Sequence, residues 1–401
     1  MSTVIPRSYG ALRAGLAALA ALVLAAGCGG SGSDNMPASG RAFTQGTITG
    51  FGSIIVNGVR FDDSSARVID DDDQLHNAND LKLGMNVEIE SSDIDRRSMT
   101  AAASQVRFGA AIVGPVSAIS AASTPKTLTV LDQIVEIAAT TVFDDSLPGG
   151  FDSIKVGDVL EIHALLNTTT GHYLAKRIEP EPGAAVFKLK GVVANLDAAA
   201  KTFMIGGALI DFSGVAELPK NFANGQLVRV RLQTLKNAAG AWVAIAIRAE
   251  QREMEDQDEA EVRGTITDFT SVTSFSVNGL PVDASKAQFP EGTAGIVKGA
   301  AVEVEGAIVN GVLVATKVEP EDENEELNEL NGAISALDTQ AKTFVVRGVS
   351  VHYSATTVFQ DGTAADLANG KQVEVKGTLG AMGTTIEAAR IEFESPPMGM
   401  M

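Results

Sequence analysis

Apolar and polar residues alternate in short runs along most of the chain, and glycine, asparagine and aspartate separate the runs. A period of two buries one face of a strand and leaves the other in solvent, so the pattern predicts half-buried β-strands. The clearest stretch is 46–90, which opens GTITGFGSIIVNGVRFD and closes LKLGMNVEIE. Its residues 53–56 and 59–61 flank Asn57-Gly58. That dipeptide is the strongest short hairpin signal, because a type I′ turn needs positive φ at both central residues. The same layout returns at 274–277 and 280–282 around Asn278-Gly279.

A second marker is more regular. A glycine is followed at the third to fifth positions by apolar, charged and apolar residues, at Gly84, Gly157, Gly225, Gly299 and Gly370. The marker returns about every 70 residues, so the chain reads as one small unit used about five times. Each unit offers an opening strand, a hairpin, a connection, the glycine-led strand and a closing strand such as 174–178 or 312–318. The connections at 78–83 and 364–369 read as short turns. That order predicts an all-β fold of tandem small five-stranded OB-like Greek-key barrels, with open sandwiches as the alternative. Units of this size lie near the lower limit for an independent core, so contacts between neighbours are expected to contribute.

Composition shifts then divide the chain. The reading gives a signal peptide at 1–27, a flexible tether at 28–43, and barrel units at 44–109, 110–183, 184–250, 261–320 and 331–395. Acidic linkers occupy 251–260 and 321–330, and a disordered tail 396–401. Like charges repel, so the acidic joints are expected to space the modules apart, extended or as short helices. Aromatics are only 5%, with Trp242 the sole tryptophan, so the cores must be Val, Ile, Leu and Ala. The formal net charge of −19 disfavours contact with nucleic acid or anionic headgroups. Single-strand binding by such barrels needs a basic groove with stacking aromatics, so nucleic acid is excluded as a partner.

Residues 1–27 carry Arg7 and Arg13, no acid, and a short apolar run. This is the layout of a secretory signal, too short for a comfortable transmembrane helix. The run ends Leu24-Ala25-Ala26-Gly27-Cys28, which resembles the lipobox of bacterial lipoproteins, with the leucine one position further from the cysteine than usual. The resemblance implies cleavage before Cys28 and makes Cys28 the lipid-attachment residue. Several acyl chains on one residue give stable anchoring. Gly29 follows, where an aspartate would resemble the inner-membrane retention signal, so the resemblance points to the outer membrane. An ordinary secreted protein with a free thiol is the alternative. Cys28 is the only cysteine, so no intrachain disulfide forms.

The opening GTITGFGSIIVNGVRFD, the LKLGMNVEIE strand and the closing Ala-Ser-Gln-Val-Arg together resemble the bacterial envelope family named "domain of unknown function 5666". The stretch RGTITDFTSVTSFSVNGLPVDAS of the fourth unit is similar, whereas units two, three and five lack the Phe-Gly-Ser and Asn-Gly signatures. The resemblance implies small β-barrels in exported lipoproteins and carries no activity.

Candidate chemistry is sparse. His76, His163, His172 and His352 are scattered over different units without ligand spacing, so they read as structural, with no metal site and no cofactor. No G-x-S-x-G or phosphate loop occurs, so the protein reads as not an enzyme, a hydrolase with an unrecognised site being the remote alternative. Asp70-Asp71-Asp72-Asp73 is the densest charge, but it lacks the spacing of a calcium loop and reads as solvated, with weak divalent binding as the alternative. Trp242 and Tyr353 are candidate stacking platforms, with packing the favoured reading. The sequence therefore points to an exported, lipid-anchored envelope protein with a non-enzymatic binding or spacer role. Its expected partners are the membrane, through the anchor, and an unknown envelope protein or saccharide. A saccharide, peptide or divalent cation bound on a barrel face is the second reading.

Overall fold

The opening strand of each unit carries the bend on which a barrel closes. The computed structural model describes residues 41–250, 254–321 and 327–394. The signal peptide, Cys28, most of the tether and the C-terminal tail lie outside the described residues. Within them the regular structure is all β, apart from short 3-10 turns at Ala78–Asp80, Gly150–Ser153 and Ala364–Asp366. These turns lie in the connections where the sequence predicts turns rather than helices.

In the first barrel Arg41–Phe51 pairs antiparallel with Ile54–Val56, which pairs with Val59–Asp62. Val59–Asp62 runs parallel to Thr100–Phe108, which pairs with Asn86–Ser92, and that strand returns to Arg41–Phe51. The circuit is closed, so it has no free edge of its own. The same order closes Ile112–Ser120, Lys126–Val130, Gln133–Phe143, Val159–Leu166 and Tyr173–Pro180. It closes again from Phe187–Val192 and its continuation Ala194–Asp197, through Thr202–Ile205 and Ala208–Asp211, to Leu227–Lys236 and Trp242–Ala249. The stretches from Gln257–Ser271 to Val312–Pro320 and from Asn328–Asp338 to Thr385–Phe393 repeat it.

The marker glycine has a physical role in every circuit. Gly84, Gly157, Gly225, Gly299 and Gly370 all have φ between 83 and 96°. Each is the third residue of a four-residue turn, as in Met85 N–H to Lys82 C=O and Lys371 N–H to Ala368 C=O. A type II turn demands positive φ at that place, which glycine adopts without strain. The glycine N–H then donates to the bend of its opening strand, at Ile48, Val116, Val193, Ile266 and Ile334.

The acidic joints do not keep the barrels apart. Strand begins at Arg41 inside the expected tether, at Gln257 inside the first expected linker, and at Asn328 inside the second. Residues Ala42–Gln45 run parallel to Glu259–Val262, joining the first barrel to the fourth. Gly50 and Phe51 pair with Glu329 and Leu330 of the fifth, and Ile112 and Val113 pair with Leu189 and Lys188 across the second and third. Apolar cores merge accordingly. One runs through the second and third barrels, another through the first and fifth, and Phe43 inserts into the core of the fourth. Small barrels bury too little surface alone, and shared cores make up the difference.

Candidate functional site

A dense network of charges lies where the first barrel meets the third. Asp70 folds the acidic loop by accepting the backbone N–H of Asp72 at 2.9 Å and of Gln74 at 2.8 Å. Asx turns of this kind fix the direction of the residues they enclose. Asp71 and Asp72 are thereby aimed into the third barrel. Lys188 Nζ donates to Asp71 Oδ1 at 2.6 Å and approaches Asp72 Oδ2 at 2.8 Å. Arg229 sits 2.6 Å from Asp71 Oδ2, and the Asp71 side chain is only 2% exposed. The loop is therefore not the solvated run its composition implies. The cations that bury it come from residues more than a hundred positions away, which local pattern cannot show.

Behind Asp71 the network continues. Glu250 accepts Arg229 at 2.9 and 3.1 Å and pairs with Lys190 at 2.6 Å. Burial pushes the Glu250 carboxyl up, but Arg229 and Lys190 override it and hold the group down at about 2. The same two acids, Glu250 and Asp71, raise Arg229 against the desolvation of its guanidinium. Asp70, Asp71 and Asp72 have oxygens close enough for a metal ion. Two of the three are already neutralised by Lys188, Arg229 and Arg231, so this loop acts as an ionic lock between barrels.

The other singled-out residues fall in separate places. Trp242 is buried, its Nε1–H donates to Asp132 Oδ2 of the second barrel at 2.9 Å, and Lys236 lies 4.8 Å over its ring. Tyr353 is buried against Phe344 and Phe359. Both are packing residues. His172 and His352 pair with Glu136 and Glu387, each at 2.6 Å, and His76 faces Asp70 at 3.3 Å. His163 is fully buried between Glu161 and the opposite strand. Cys28 lies outside the described residues.

A cavity of about 210 Å³ opens beside the lock, lined by Asp70, Asp71, His76, Glu161, Glu181 and Lys188 among others. A larger groove of about 820 Å³ lies where the third and fourth barrels meet, with Lys220, Asn221, Gln226, Asp268, Ser276 and Asn310 in its wall. Neither had a sequence signal, because each is assembled from different barrels. No helix among the described residues is long and apolar enough to cross a membrane, which says nothing of crossing by strands.

The closed five-strand circuit and its repetition define a class: an all-β protein of tandem OB-type barrels. Three segments, 113–179, 263–319 and 331–392, match the family described as "Domain of unknown function (DUF5666)", so the repeats resemble that family. They correspond to the second, fourth and fifth barrels. The first barrel, which carries both sequence signatures, lies outside the matched segments, whereas the second and fifth match without them. No curated protein matches the chain. Among solved structures, "drosophila Unr CSD456" is similar over 54% of this chain and 98% of its own, at 12% identity and a TM-score of 0.14.

Proposed function

We propose that the chain is an exported cell-envelope protein, lipid-anchored through Cys28 in the outer membrane, whose barrels form a non-enzymatic binding or spacer element. The observation that carries the reading is the placement of the one cysteine, Cys28, directly after the apolar run and ahead of the barrel array. The strand pairings between barrels support it, because they present barrel faces in a fixed arrangement. Expression in a bacterial host with labelled fatty acid tests the anchor. Label is expected on the full chain, absent from Cys28→Ala, with that variant shifting to the soluble fraction. Unlabelled wild-type protein would sink the reading.

A second reading, saccharide or peptide binding, is favoured by the groove of about 820 Å³ and its amide and hydroxyl side chains. Such groups recognise polar ligands by directed hydrogen bonds.

A further inference from the structure

Glu161 and His163 lie two apart on Val159–Leu166, so their side chains share the outer face of the second barrel. Glu179 stands directly opposite Glu161 on the antiparallel partner strand. Ligand atoms of the three residues all fall within 4.8 Å of one another. His163 has no exposed surface, and neither of its ring nitrogens makes a hydrogen bond. Its Nε2 faces Glu161 Oε1 at 3.2 Å without hydrogen-bond alignment. Glu161 faces the imidazole, but Nδ1 is left without a hydrogen-bond partner, and a buried polar atom so placed carries an uncompensated desolvation cost.

We propose that Glu161, His163 and Glu179 form a binding site for a divalent transition cation of the zinc class. One imidazole and two carboxylates suit a borderline ion, and two ligands about 2.1 Å from a tetrahedral zinc stand about 3.4 Å apart. The spacing of His163 and Glu161 already matches this. Arg177 engages Glu179 Oε2 at 2.9 Å and Asp144 Oδ2 at 2.8 Å. Arg177 takes one oxygen of Glu179 and leaves the other for the ion. The cavity of about 210 Å³ that Glu161 lines gives the route of entry and room for a water ligand. Bound there, the ion would tie the two strands across the bulge that follows His163.

Calorimetric titration of the chelator-treated full chain in detergent with zinc chloride tests the site. One zinc per chain is expected, with affinity falling more than about tenfold, the cost of losing even an outer-shell partner, in His163→Gln and Glu161→Gln. His352→Gln, which removes a surface histidine beside Glu387, is expected to bind like wild type. X-ray absorption of the loaded wild type is expected to show one imidazole with oxygen ligands, and this readout stands even if a variant fails to fold. Absence of binding, unchanged affinity in a folded His163→Gln, or loss on Asp70→Asn alone would overturn the assignment.

Discussion

Glu261 lies on the parallel pairing between the first and fourth barrels, opposite Thr44, with 3% of its surface exposed. Burial pushes its carboxyl up to about 7. Glu303 and Glu305 add to this, and Arg263 and Arg96 oppose it. Below its ordinary value of 4.5 the group is protonated folded or unfolded, and stability is fully present. As pH rises from 4.5 towards 7 the folded protein keeps a proton that the unfolded chain has released, so this stability falls away and is lost once the folded group ionises near 7. Glu261→Gln removes the charge at nearly constant shape. It is expected to equal wild type near pH 4.5 and exceed it above pH 7 by about 3 kcal/mol, read from urea unfolding at both pH values. A parallel dependence in wild type and variant would rule this out. Nothing in the local sequence marks Glu261, since the run around it reads as solvated acid; strand pairing with 42–45 is what buries it.

The hairpins show how far a turn can be read from two letters. Asn57 and Asn278 have φ of 53 and 50°, and each is followed by a glycine with positive φ, as the Asn-Gly dipeptides predict. Leu131-Asp132 and Arg347-Gly348 adopt positive φ at both residues without that signature. Leu131 is held by burial, its side chain filling the space over Gly114. Tertiary packing thus imposes a conformation that local preference opposes. Asn278 does more than turn. Its amide sits over Gly264, accepts the Thr265 N–H at 3.2 Å, and donates to Arg263 C=O and Gln45. Asn278→Ala is expected to destabilise by about 2–3 kcal/mol, from left-handed strain plus unpaired buried groups. Arg347→Ala removes only one exposed bond, to Gly52 C=O at 3.3 Å, and is expected to cost less. Denaturant midpoints of the two variants decide the order.

Across the whole array, barrels are joined by shared strands, merged apolar cores and buried charge. The Asp71 lock is the most exposed to a single change. Replacing it with asparagine takes one carboxylate from Lys188 and Arg229, which keep Asp72 and Glu250, so the loss is that of the charged hydrogen bonds to Asp71, about 1.5–3 kcal/mol. Asp71→Asn is expected to lower stability by about that amount in a thermal or urea melt. Salt is expected to change the difference little, since buried charges are poorly screened. An unchanged midpoint would mean that the lock contributes specificity rather than stability.

The sequence by itself determined the strands, their order and the repeat, and the strand pairings of the structure decided for closed barrels over open sandwiches. Alternation records which face of a strand is apolar, and a glycine such as Gly84 or Gly370 records a backbone conformation other residues resist. Both signals are local. Only the tertiary structure decided which polar outer faces become interior. The Asp70–Asp73 loop, Glu261 and the Glu161–His163–Glu179 group are all polar in pattern. Asp71, Glu261 and His163 are buried all the same, and side-chain alternation says nothing of what covers the far side of a sheet.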